Sequence, residues 1–153
     1  WRREFPEAKL VLPAAMSRDV PAAMMPDPST YDLGGGTLYN AWPWEANGAT
    51  AIQKLEAFRK QVAARGKPFG ITEWANAANP NEQGGGGDAP GFITAMHNWM
   101  VQHAGTGAGQ LVFETFFNIP GYALDHELVH WNGSSVQVST TQPQTAAKYK
   151  DLF

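Results

Sequence analysis

An apolar run between two helical patterns constrains the fold of this chain more than any other feature. Residues 67–74 read Lys-Pro-Phe-Gly-Ile-Thr-Glu-Trp, and the turn-forming start and short length are typical of a buried strand. Apolar residues recur at helical spacing before this run, in residues 51–64, and after it, in residues 90–103. This alternation predicts a parallel sheet with helices packed outside it. Glu73 then lies at the C-terminal end of a strand, where α/β folds place their chemistry.

Three further stretches of the chain are predicted to be strands of the same sheet. They cover residues 9–16, 32–40 and 110–118, and a helix over residues 143–153 closes the chain. Three glycines at positions 34–36 indicate close packing or a bulge rather than a phosphate loop, because no helix opens directly after them. We expect one domain over residues 1–153, α/β in class and equivalent to half of a (β/α)8 barrel of TIM type.

Composition excludes several classes of partner and site. The net charge is −3 and no cluster of Lys or Arg occurs, which argues against a nucleic-acid or anionic-membrane partner. The chain has no cysteine, so a disulfide framework, a thiolate nucleophile and a cysteine zinc site are ruled out. No apolar run approaches membrane-spanning length. The chain begins at Trp1 and reads as the continuation of something longer.

Aromatic residues in loops indicate a ligand with partly apolar faces. Trp42 and Trp44 lie in a Pro-containing loop, where exposed indoles stack against sugar rings or pack the loop itself. Trp74, next to Glu73, is expected either to form a sugar platform or to pack against the neighbouring helix.

Several motifs together resemble a known enzyme family. They are Phe5-Pro6-x-Ala8-Lys9, Tyr39-Asn40 closing a strand, the segment from Gly66 to Trp74, Gly87-Asp88-Ala89-Pro90 and the strand from Phe113 to Asn118. This succession is similar to the C-terminal half of a retaining (β/α)8 glycoside hydrolase, most like family 26, the endo-β-mannanase and endoglucanase group. The resemblance runs over essentially the whole chain, as strands five to eight of the barrel, and its most specific part is the Thr-Glu-Trp strand end.

The resemblance implies roles for individual residues. Glu73 corresponds to the catalytic nucleophile, and Tyr39 to the aromatic residue that hydrogen-bonds and orients it. Trp42, Trp44 and Trp74 would line sugar subsites. The acid/base of such enzymes follows strand four and has no counterpart in this sequence, although retaining hydrolysis needs two carboxyl groups about 5–5.5 Å apart. The family needs no cofactor, acts on polysaccharide and is secreted.

Two residues of the fourth strand are candidate substrate ligands. Glu114 is expected to face the barrel axis, where it would bind substrate, replace the missing acid or, more simply, form a structural ion pair. Asn118 ends the same strand and is assigned to substrate binding with it.

Other functions remain open at this level. The chain could be a non-catalytic carbohydrate-binding half-barrel, or it could associate with itself or with a missing N-terminal half, because unpaired strand edges invite association. His126, Glu127 and His130 match the letters of a zinc-hydrolase motif, which requires both imidazoles on one face of a helix.

Overall fold

A computed structural model describes residues 3–16, 19–40, 48–78, 86–119 and 125–153. Its elements in chain order are β1 (Val11–Ala15), β2 (Leu33–Asn40), α1 (Ala49–Ala63), β3 (Phe69–Asn76), α2 (Pro90–His103), β4 (Leu111–Phe116), β5 (Val129–Trp131), β6 (Val136–Val138) and α3 (Pro143–Leu152). Two short 3-10 turns, Ala22–Met24 and Pro28–Thr30, lie between β1 and β2. No helix in these ranges is long and apolar enough to cross a bilayer.

The four predicted strands form one parallel sheet in the order β1-β2-β3-β4. This confirms the α/β class and the parallel sheet. The strand that carries Glu73 extends two residues beyond its predicted end, to Asn76. Residues 119–142, read from the sequence as loop, contain the antiparallel hairpin β5–β6.

One face of the sheet packs on the helices and holds the core. Leu55, Phe58 and Val62 of α1 are buried, as are Phe92 and Met96 of α2. These helix side chains cover the strand side chains that point from the sheet toward the helices, including Phe69, Ile71 and Trp74 of β3. Burial of these apolar side chains is the main stabilising term of the fold.

The glycines of β2 allow α1 to approach the sheet. A Cβ atom on Gly34 would collide with Val62, and one on Gly36 would collide with Leu55. The expected close packing is therefore confirmed. The same stretch carries a bulge, since the register of β2 against β3 shifts between Gly36 and Thr37.

The opposite face of the sheet is called here the open face. It carries Val11, Thr37 and Thr72, which are half-buried, and Phe113, which is 38% exposed. Contacts show that these side chains lie on one side of the sheet. A Cβ atom on Gly35 would meet Thr72 and Val11, and a Cβ atom on Gly70, which pairs with Gly35, would meet Phe113.

Candidate active site

Glu73 projects from the open face of the sheet. Its neighbour Trp74 points into the helix layer, so strand alternation turns Glu73 the other way. The bulge places Glu73 opposite Thr37, which itself bonds to Thr72 on the open face. Thr72 and Glu73 thus share that face, as the two bulged residues of a strand do. The Glu73 side chain is half-buried and forms no hydrogen bond or ion pair with the described residues.

Two threonine hydroxyls lie beside Glu73. The Oγ1 atoms of Thr37 and Thr72 are 2.9 Å apart, and Thr72 Oγ1 also donates to the Gly36 carbonyl oxygen at 3.2 Å. Thr37 is then the donor within the pair, so both hydroxyl protons are used. Neither is left to donate to Glu73, whose oxygens therefore have no hydrogen-bond donor among the residues that the structure describes.

Tyr39 lies on the same face as Glu73, one step further toward the strand ends. It pairs with Ala75, two positions beyond the Thr37–Glu73 pair. Its ring contacts Phe117 with centroids 5.9 Å apart and His126 with centroids 5.0 Å apart. No hydrogen bond joins Tyr39 to Glu73 in this structure, so the orienting bond implied by the resemblance stays a prediction.

A buried amide network fixes the C-terminal ends of β2 and β3. Asn40 Nδ2 donates to Asn76 Oδ1 at 2.8 Å, and Asn76 Nδ2 donates to Gln142 Oε1 at 2.7 Å and to the Gly87 carbonyl oxygen at 2.6 Å. Gln142 Nε2 in turn donates to the carbonyl oxygens of Asp125 and Glu127. The chain around Gly87, Asp125 and Gln142 is therefore held at the C-terminal ends of β2 and β3, although these residues are distant in sequence.

His126 belongs to this edge and not to a metal site. It is 4% exposed, and its Nδ1 donates to the Asn76 carbonyl oxygen at 2.8 Å. His130 lies in strand β5, where its Nδ1 is 3.5 Å from a Glu127 carboxylate oxygen. The zinc-motif hypothesis is wrong because the segment is not helical and cannot present both imidazoles on one face. Within the described ranges, no cluster of three or more ligating side chains could hold a metal.

Trp74 does not form a sugar platform but packs against neighbouring side chains of the helix layer, as its second expected role has it. Its side chain is fully buried, and its ring centroid lies 4.9 Å from that of Phe116 and 6.1 Å from that of Tyr149.

Glu114 lies on the helix side of the sheet. Trp74 Nε1 donates to Glu114 Oε2 at 2.5 Å. Glu114 therefore faces the helix layer and not the open face, which corrects its assignment to substrate. Burial, followed by the Glu114 carboxylate, raises the pKa of Tyr149 on α3.

Asn118 is occupied by the backbone of the following segment. Its Oδ1 accepts from the N–H of Leu128 at 2.8 Å and of Val129 at 3.3 Å, while its Nδ2 donates to the Val129 carbonyl oxygen at 2.7 Å. These bonds give Asn118 a structural role, and its role in substrate binding stays a prediction. Trp42 and Trp44 lie outside the described residues.

Asp88 ties the segment after β3 to α3. Its two carboxylate oxygens accept from the backbone N–H and the hydroxyl of Thr145, both at 2.7 Å, and from the N–H of Gln144 at 3.0 Å. Burial alone would raise the pKa of Asp88, but these bonds to Thr145 and Gln144 outweigh it and lower that pKa. The carboxylate thus acts as an N-terminal cap for α3 supplied by a distant residue.

Comparison with known proteins supports the fold. No protein-family description and no curated protein matches the sequence. Among solved structures, the chain is similar to a triple mutant of an endo-β-1,4-glucanase from Xanthomonas axonopodis pv. citri, with a TM-score of 0.53 and 13% identity. The match covers 84% of this chain but 38% of that enzyme, so the chain spans well under half of its structural neighbour. At this identity the likeness concerns the fold alone.

Proposed function

We propose that this chain carries the nucleophile portion of the active site of a retaining β-glycoside hydrolase that acts on polysaccharide. The observation that carries the proposal is Glu73, a carboxylate on a strand of the parallel sheet that is directed to the open face and has no hydrogen-bond or ion-pair partner among the described residues. The endo-β-1,4-glucanase neighbour supports a β-linked glucan as substrate class. Polysaccharide of this kind lies outside cells, so we propose an extracellular location.

The barrel assignment belongs to the same proposal. The four parallel strands would be strands five to eight of a (β/α)8 barrel, with the open face as its interior. Both outer strands, β1 and β4, leave one edge unpaired within the described ranges, which is where the remaining strands would add.

The chemistry requires Glu73 to be an ionised nucleophile. Its carboxylate would attack the anomeric carbon and form a glycosyl-enzyme, while a second carboxyl group protonates the leaving oxygen and then activates water. Two carboxyl groups suffice for both steps, so no metal or organic cofactor enters. Tyr39 is proposed to orient Glu73 once substrate is bound, because both side chains occupy the same face.

Other carboxylates at the strand-end edge are engaged and do not fit the acid/base role. Asp88 caps α3, Asp125 accepts from the Thr141 hydroxyl at 2.6 Å, and Glu127 lies beside His130. The acid/base is therefore proposed to lie outside this chain, as the resemblance implies.

A covalent trap tests the nucleophile independently of that missing acid. A fluorinated β-cellobioside with a dinitrophenyl leaving group needs no protonation to react, and its fluorine slows hydrolysis of the glycosyl-enzyme. We expect one adduct, located by peptide mass mapping on Glu73.

Two variants make the experiment specific. Glu73→Gln should abolish the adduct, whereas Glu114→Gln, on the helix side of the sheet, should label like the parent chain. An unlabelled parent chain, or an adduct that persists in Glu73→Gln, would contradict the assignment.

A further inference from the structure

The β5–β6 hairpin presents four apolar side chains on one face. Val129 pairs with Val138 and Trp131 pairs with Val136, so these four residues share a side, here called the hairpin platform. Their exposed fractions are 41%, 52%, 65% and 64%, respectively. The opposite side carries the pair His130 and Gln137. Exposed apolar residues gathered in this way mark an interaction surface.

The platform is fixed to the edge of the sheet that carries the candidate active site. Asn118, which follows β4, bonds through both amide atoms to Leu128 and Val129. The N–H of Ser139 donates to the Leu128 carbonyl oxygen at 2.8 Å, and Leu128 itself is 2% exposed. The hairpin is therefore anchored next to Phe117 and His126, whose rings contact Tyr39.

The turn of the hairpin is also held in place. Asn132 Oδ1 accepts from the N–H of Ser134 and of Ser135, both at 3.0 Å, and from the Ser134 hydroxyl at 3.1 Å. A preformed turn lets a ligand bind without a large ordering cost.

The chemistry around the platform favours an uncharged partner. Residues 128–142 contain no Asp, Glu, Lys or Arg, and the polar residues among them carry mainly hydroxyl and amide groups. A nucleic acid or an acidic polysaccharide would require cations that this segment lacks. Sugar rings in neutral β-linked chains offer C–H faces that stack on an indole and hydroxyls that bond to amides at its rim.

We propose that the hairpin platform, with Trp131 as its largest side chain, is a binding subsite for a neutral β-linked glucan chain. The inference rests on the proposed function for its substrate class and for nothing else. Trp131 holds the chain beside the candidate active site and takes no part in bond cleavage.

Binding without turnover tests this inference. The Glu73→Gln chain is run in native gels containing hydroxyethyl cellulose, and its affinity for cello-oligosaccharides is measured by calorimetry. We expect Trp131→Ala to weaken binding about tenfold, the scale of one lost aromatic stacking contact together with its buried area. Trp131→Phe should retain part of the affinity, and Met24→Ala, an exposed apolar residue between β1 and β2, should have no effect.

The outcomes separate this inference from the proposed hydrolysis. Trp131-dependent binding in a chain whose Glu73 is not labelled by the trap would leave the platform standing and refute the hydrolysis. Unchanged affinity in Trp131→Ala, or no glucan binding by the parent chain, overturns the inference. Equal retardation by anionic polygalacturonate would contradict the neutral specificity. If sedimentation shows that Trp131→Ala converts a dimer to a monomer and glucan affinity is unchanged, the platform binds a second copy of the chain and the inference is overturned.

Discussion

Removing the Asn76 side chain should destabilise the whole strand-end edge. Asn76→Ala deletes three hydrogen bonds that Asn76 makes to Asn40, Gln142 and Gly87. Asn40 and Gln142 are 2% and 0% exposed, so water cannot replace the lost partner. An unsatisfied buried polar group costs about 1–3 kcal/mol, and the half-buried Gly87 carbonyl adds less. With two such groups, we therefore expect a loss of about 2–6 kcal/mol in the free energy of unfolding.

Urea unfolding followed by tryptophan fluorescence measures this loss. Asn98→Ala, at an exposed position of α2, is the matched control and should change stability by less than about 0.5 kcal/mol. In a double-mutant cycle, Asn76→Ala and Gln142→Ala should be non-additive by about 0.5–3 kcal/mol because they share a bond. A loss below about 1 kcal/mol in Asn76→Ala, or additive effects, would refute the idea that this network holds the edge together.

Two further predictions concern the helices. Asp88→Asn should lower stability at neutral pH by about 1 kcal/mol, because a carboxylate that caps α3 through Thr145 and Gln144 loses its charge. Since the folded-state pKa of Asp88 is lowered, the stability that its carboxylate contributes is present above the unfolded pKa of about 4 and is lost as pH falls through the folded pKa. The urea midpoints of the parent chain and of Asp88→Asn should therefore converge at low pH. A difference between the two midpoints that does not change with pH would contradict this. Gly34→Ala should cost about 1–3 kcal/mol, because its Cβ would collide with Val62 in the core; an unchanged thermal midpoint would show that α1 can move aside.

The hairpin beside the site has a signal in the sequence. Val-His-Trp and Val-Gln-Val alternate in polarity and are separated by Asn-Gly-Ser-Ser, which is a hairpin pattern. Each strand has only three residues, which is too short for alternation alone to distinguish it from a loop. The amide network had no such signal, since Asn76 is 36 residues from Asn40 and 66 from Gln142.

The sequence by itself determined the elements of the four-stranded sheet and its helices, and their order along the chain. Apolar runs and helical spacing are local properties, and they located four strands and three helices and placed Glu73 on the third strand. Tertiary structure decided which way each side chain points. Trp74 and Glu114 turn toward α2 and α3, whereas the bulge opposite Thr37 sets Glu73 on the open face. A bulge shifts the alternation of a strand by one residue, and the glycines at positions 34–36 indicate close packing or a bulge without giving the residue at which the register of β2 against β3 changes.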